Sequence, residues 1–160
     1  MIQVQVSALA IDAGTNSPIM LLKEENGEKV LPIWIGFPEA SAIALAKSYE
    51  KNEIERPLTH DLMKMLLDAL DAKLLKVIID ELEGTTYKAK LFLQSPVSDY
   101  VIDSRPSDAV ALALRAGAPI YIEDQVFGQR DASEEGAPNL EDLRKRLREI
   151  DTSDFGKFKF

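Results

Sequence analysis

The sequence predicts an α+β domain: an N-terminal antiparallel meander plus further strands in a mixed sheet, packed with three to four helices. Three observations carry this. Short apolar runs with period-two alternation come in neighbouring groups joined by tight-turn signals, Asn26-Gly27 being the strongest. Helical patterns open on Pro or on a hydroxyl residue and stand between those groups rather than alternating one for one with strands. That segregation favours α+β over a doubly wound parallel sheet. The chain has 160 residues, 46% hydrophobic and 29% charged, which is enough apolar material for one domain without a disulfide or metal staple and argues against disorder.

The elements follow in order. Ile2, Val4 and Val6 alternate with polar residues, after which Leu9 and Ile11 continue out of phase, predicting one strand over 2–12 with a bulge or twist near Ala8. A turn cluster from Ala13 to Pro18 leads into a strand over Ile19–Lys23. After Asn26-Gly27, Val30, Ile33 and Ile35 form a third strand, where Pro32 calls for an edge position or a bulge. Pro38 suits the first helical position, with Glu39 in the first turn, and Ala40, Ile43, Ala44 and Ala46 carry that helix to about Lys51. Leu62, Met65, Leu66 and Leu70 define a second helix from Thr59. Strands are predicted over 74–82, 86–94, 100–103 and 119–122, with an alanine-rich helix over Pro106–Ala116 closed by Gly117. Residues 1–125 are taken as the domain. Residues 126–160 are read as a loop, an amphipathic helix on Leu140, Leu143, Leu147 and Ile150, and a frayed tail.

Composition narrows the chemistry. Cysteine is absent, which excludes thiol catalysis, disulfides and Cys-based zinc sites. No apolar run approaches the ~18 residues of a membrane span, and the N-terminus lacks a signal-peptide pattern, so no membrane and a cytoplasmic location are expected. The net charge of −8 disfavours tight, non-specific binding to nucleic acid, although metal ions can supply local positive charge. Walker A, GxGxxG and GxSxG patterns are all missing. Trp34 is read as core or interface packing, Lys88 and Lys90 as a half-solvated strand, and Arg144, Lys145, Arg146 and Arg148 as a solvated helix face.

Two segments stand out. Asp103-Ser104-Arg105-Pro106-Ser107-Asp108 gathers two carboxylates, a guanidinium and two hydroxyls at a strand-to-helix junction. Arg56-Pro57-Leu58-Thr59-His60-Asp61 repeats the pattern of Arg-Pro, a hydroxyl and Asp at another helix start. Carboxylates there suit Mg²⁺ or Mn²⁺, and two such cations about 4 Å apart are a standard device for phosphodiester cleavage. The structural account is equally concrete: Thr59 and Ser107 as N-caps, Asp61 and Asp108 complementing the helix dipoles, and Arg105 paired with Asp103. His60, the sole histidine, would serve as a proton shuttle or simply as a surface residue at a helix start. Glu39 is a further candidate. If the two junctions converge, Asp61, Asp103, Asp108, Arg56, Arg105 and His60 form one acidic site with basic rims.

These blocks, together with Leu31-Pro32-Ile33-Trp34-Ile35-Gly36 before Glu39-Ala40 and Pro119-Ile120-Tyr121, make residues 1–125 resemble the bifunctional nuclease domain family. The resemblance implies an α+β domain, often oligomeric, with cleavage of DNA and RNA. Its motif positions fall on Glu39, Arg56, Thr59, His60, Asp61, Asp103, Arg105, Ser107 and Asp108.

Two readings follow. In the first, the chain is a metal-dependent nuclease: Asp61, Asp103 and Asp108 bind Mg²⁺ or Mn²⁺, Arg56 and Arg105 clamp phosphate, His60 moves a proton, and Glu39 assists. Nucleic acid is then a weakly bound substrate. In the second, it is a non-enzymatic oligomeric interaction or regulatory module whose helix-start motifs are capping networks. A nucleotide or small-anion sensor is a third option. A homo-oligomer, a dimer by preference, is expected under either of the first two.

Overall fold

The computed structural model describes residues 1–48, 56–127, 145 and 147–149, the last three by their backbone alone. Among the described residues the main elements follow in the order β1 (Ile2–Asp12), β2 (Ser17–Glu24), β3 (Val30–Trp34), α1 (Phe37–Lys47), α2 (Thr59–Ala69), β4 (Lys73–Glu83), β5 (Thr86–Gln94), β6 (Asp99–Ser104), α3 (Pro106–Ala116), β7 (Ile120–Ile122) and β8 (Leu147–Glu149). They form one sheet in the order β3-β2-β1-β7-β4-β5-β6, with β8 also paired to β1. The sheet is mixed, as expected: β7 runs parallel to β4, and the remaining pairs are antiparallel.

The meander forms as read. β1 pairs with β2 and β2 with β3, and the register shifts between Val6 and Ala8, where the apolar phase of the sequence changes. β3 lies at one edge of the sheet, so Pro32 occupies a strand position where a missing N–H is tolerated. At the centre, β7 sits between β1 and β4 and joins the N-terminal meander to the β4–β5–β6 group. The helices cover one face. α3 packs against both α1 and α2 and lies over β4 and β5, while α1 covers β2. Alanines let α3 approach closely: Ala109, Ala111 and Ala113 are fully buried beside Val110 and Leu112. The core joins them to Val4, Leu9, Met20, Leu22, Leu31, Ile33, Ile43, Val77, Ile79, Leu91 and Ile122. Gly117 ends α3 with φ +66°, and Ala118 N–H closes back onto the Ala113 carbonyl.

Several boundaries differ from expectation. α1 ends at Lys47 with Ser48 as its C-cap, short of Lys51, which lies outside the described residues. Residues 124–127 form a helical turn rather than loop, and Val126 and Phe127 belong to the core, so the domain body continues past residue 125. Leu147–Glu149 is a strand on β1, pairing Ala10–Asp12, where side-chain periodicity predicts helix. An open sheet edge outcompetes a short, weakly nucleated helix there. Lys145 is helical, and the rest of that expected helix, most of the expected loop and the tail lie outside the described residues. No helix among the described residues is long and apolar enough to cross a membrane.

Candidate functional site

Three helix starts meet at the site. The first turn of each carries its carboxylate at the third helical position: Glu39 in α1, Asp61 in α2 and Asp108 in α3. The caps differ from the sequence reading. α1 starts one residue early, at Phe37, with Gly36 as N-cap. α3 starts at Pro106, whose absent N–H would be unpaired there anyway, so Arg105 is the N-cap and Ser107 is a buried residue inside the first turn. α2 starts at Thr59 rather than being capped by it. Asp61, at the third helical position, reaches back to accept the Leu58 N–H at 3.0 Å, so the N-cap donor is served by a carboxylate from within the first turn.

The two Arg-Pro junctions do converge, through His60 and Asp108. His60 Nε2 lies 3.1 Å from Asp108 Oδ1, and Arg105 Nε donates to Asp108 Oδ2 at 2.7 Å. Arg105 also reaches Glu39 Oε1 from its Nη1 at 3.1 Å, so residues of α1, α2 and the start of α3 form one chain of contacts. Glu39 folds back over Gly36, where an added Cβ would overlap its Oε2, so a glycine at that N-cap leaves room for the carboxylate. Burial opposes the Asp108 charge, but the hydrogen bonds from Arg105 and His60 outweigh it and hold the carboxyl below its ordinary range. Asp108 in turn raises the Arg105 guanidinium, with Glu39 adding to the effect. His60 is buried rather than a surface residue. Because Asp108 holds Nε2, Nδ1 is left as the ring nitrogen for other partners.

Beside this network is a second one that the sequence reading missed. Arg115, in the last turn of α3, donates from Nε to Asp61 Oδ1 at 2.6 Å and from Nη1 to the carbonyls of Ala42 at 3.0 Å and Ala111 at 2.9 Å. Its side chain is only 5% exposed. The available signal was a single cation inside the apolar run Val110–Ala116, which implies a buried partner for it.

The remaining candidates stay apart. Asp103 is exposed on β6 opposite Lys90 of β5, and Arg105 pairs with Glu39 and Asp108 instead of with it. Arg56 is exposed and forms no ion pair with a described residue. Trp34 is 40% exposed rather than core, its indole N–H donating to the buried Asp12 at 3.2 Å. Lys90 pairs with Asp80, and Lys88 with Glu81 and Glu83. Among the described residues no three His, Asp or Glu side chains are grouped to hold a metal ion. Asp61 and Asp108 spend their oxygens on Leu58, Arg115, Arg105 and His60, and Asp103 is not with them. The expected Asp61–Asp103–Asp108 set for Mg²⁺ or Mn²⁺ therefore does not fit this arrangement. What the cluster offers is a solvent-facing guanidinium beside a buried imidazole and its half-buried carboxylate, which suits an anionic ligand.

The chain is 43% identical over 127 residues to an uncharacterized protein of Mycobacterium tuberculosis, an alignment covering 79% of this chain and 74% of that one. It is 31% identical over 110 residues to bifunctional nuclease 2 of Oryza sativa subsp. japonica, covering 66% of this chain and 33% of the rice protein. Bifunctional nuclease 1 of Oryza sativa subsp. indica is 25% identical over 118 residues. The sequence model of the bifunctional nuclease domain matches residues 20–135, which contain Glu39, the His60–Asp108 pair and Arg115, and the chain belongs to the bifunctional nuclease domain family.

Proposed function

We propose that the chain hydrolyses phosphodiester bonds of DNA or RNA at the Glu39–His60–Arg105–Asp108 cluster. The observation that carries this is the 3.1 Å contact between His60 and Asp108, which unites the two Arg-Pro motifs beside an Arg105 side chain that is 66% exposed. The ionised Asp108 fixes the imidazole ring through Nε2. The other ring nitrogen accepts a proton from the attacking water as its oxygen forms the new bond to phosphorus. The bond from phosphorus to the bridging ester oxygen breaks, and the departing oxygen takes a proton from solvent. Arg105 carries the phosphate charge, and Glu39 holds Arg105 in place. Among the described residues the acidic side chains assemble no metal-ligand set, so the chain's own groups carry each of these steps.

The test is cleavage of labelled single- and double-stranded DNA and RNA by highly purified protein, with Mg²⁺, Mn²⁺ or EDTA. Folded His60→Asn and Asp108→Asn variants are expected to lose roughly 10²–10⁴-fold in rate, the usual contribution of a positioned general base. Asp103→Asn, outside the network, is expected to cleave like the wild type. Equal residual activity in all samples would sink the proposal.

One observation favours a second reading, a non-catalytic interaction module. The oxygens of Asp61 and Asp108 already serve hydrogen bonds within the chain. In that case the same variants lose thermal stability, and no sample turns over nucleic acid.

A further inference from the structure

Ser107 does not cap α3. Arg105 occupies the N-cap and makes no side-chain cap hydrogen bond, so the donors of the first turn go without a cap. Pro106 has no N–H, and the Ala109 N–H returns to the Arg105 carbonyl at 3.0 Å. The N–H groups of Ser107 and Asp108 meet no backbone acceptor among the described residues. Nor does the Ser107 hydroxyl have a hydrogen-bond partner among them, although the residue is only 6% exposed. A buried hydroxyl normally finds a partner, because leaving water without one costs free energy. This one is not sealed in. Among the described residues the side-chain oxygen both closed off from solvent and unpartnered is Oδ1 of Asp80, so the Ser107 oxygen keeps an opening to solvent.

The helix sets where that hydroxyl stands. Residues 107, 111 and 115 follow one another along one side of α3. Arg115 Nη1 donates to the carbonyls of Ala111 and of Ala42 in α1, which brings that side of α3 against α1. One turn before Ala111, the same side carries Ser107 toward the first turn of α1, where Glu39 meets Arg105. The next residue, Asp108, holds His60. Ser107 thus stands within the cluster already described, and it brings donors rather than charge. Two N–H groups and one O–H belong to the same helical turn as the exposed Arg105 guanidinium, at the positive end of the α3 dipole. The nearby carboxylates of Glu39 and Asp108 are engaged by Arg105 and His60.

We propose that Ser107 is a phosphate-binding residue. Its hydroxyl, together with the N–H groups of Ser107 and Asp108, donates to a non-bridging oxygen of a phosphate ester seated at the start of α3. Arg105 meets the same phosphate from the solvent side and Ser107 from the protein side. The identity of the ester, the scissile phosphate of a nucleic acid, rests on the hydrolysis reading above; the binding of phosphate does not. Ser107 binds and orients, and it transfers no proton.

Titration with inorganic phosphate at constant ionic strength, followed through the amide resonances of isotope-labelled protein, tests this without requiring turnover. The Ser107 and Asp108 amides are expected to shift saturably in the wild type. Ser107→Ala is expected to weaken phosphate binding roughly tenfold, the loss of one hydrogen bond to a charged group. Its thermal midpoint is expected to equal or exceed that of the wild type, because the hydroxyl serves no hydrogen bond among the described residues. In the cleavage assay the same variant is expected to lose a similar factor in kcat/KM. Phosphate that leaves both amides unmoved, equal affinity in Ser107→Ala, or a midpoint lowered as by a lost structural hydrogen bond would each overturn the proposal. Phosphate binding that depends on Ser107, with no turnover by any sample, would sink the nuclease reading and leave the phosphate site standing. Turnover with wild-type affinity and rate in Ser107→Ala would do the reverse.

Discussion

Asp61 and Asp108 begin as equivalents in the sequence, each following an Arg-Pro pair into a helix, and the fold gives them opposite surroundings. Asp61 is held by Arg115, which arrives from the far end of α3 with its side chain almost fully buried and also donates to two backbone carbonyls. Asp108 is held by its own neighbour Arg105, which stays in solvent, and by a buried histidine from another helix. The first arrangement is a clamp between α1, α2 and α3, with the charged hydrogens of Arg115 turned inward. The second keeps its cation at the surface, where a ligand can reach it. A repeated motif specifies a carboxylate at a helix start, whereas the burial of its cationic partner decides whether that cation is enclosed as a brace or left facing solvent.

The comparison breaks most visibly if the buried cation is removed. Arg115→Ala leaves the Ala42 and Ala111 carbonyls and the Asp61 carboxylate without their shared donor. A loss of roughly 3 kcal/mol in denaturant unfolding is expected, toward the lower end for breaking a buried pair because Asp61 is partly solvated. Arg105→Ala removes a pair formed by a mostly exposed side chain, so its cost is expected to stay below about 1 kcal/mol. The same substitution is expected to weaken binding of nucleic acid, read as a loss of fluorescence anisotropy change with a labelled oligonucleotide. Equal destabilisation by the two substitutions would erase the distinction between clamp and site.

The smallest effect concerns acid. The Asp108 carboxyl is held below its ordinary range, so its contribution to stability is fully present above the unfolded carboxylate value of about 3.9 and is lost as pH falls through the lower folded value. Unfolding midpoints followed downward from about pH 5 are therefore expected to fall less steeply in Asp108→Asn than in the wild type. Identical acid limbs would mean that Arg105 and His60 do not favour the charged form.

Much of this architecture was legible because it is local. The β1 bulge follows from the phase change between Val6 and Leu9, the edge position of β3 from Pro32, and the end of α3 from Gly117, each a matter of backbone chemistry within a few residues. The candidate residues at the helix starts were legible for the same reason, since Pro and Asp mark those starts whatever surrounds them. Cap positions were less so, because Thr59 and Ser107 had to compete with a returning Asp61 and with Pro106, and that competition is settled by geometry. β8 was misread as helix because only the position of the β1 edge favours a strand there.

The sequence alone determined which chemistry the chain can bring to bear: carboxylates, guanidinium groups and one imidazole at helix starts, with no thiol. Only the tertiary structure decided which of them meet. It joined His60 to Asp108, 48 positions away, drew Arg115 onto Asp61 across 54, and left Asp103 exposed on β6 beyond both networks. The physical reason is that a side chain's helical or strand position follows from its neighbours in the chain, whereas its electrostatic partner depends on which elements the sheet order and the packing around α3 bring together.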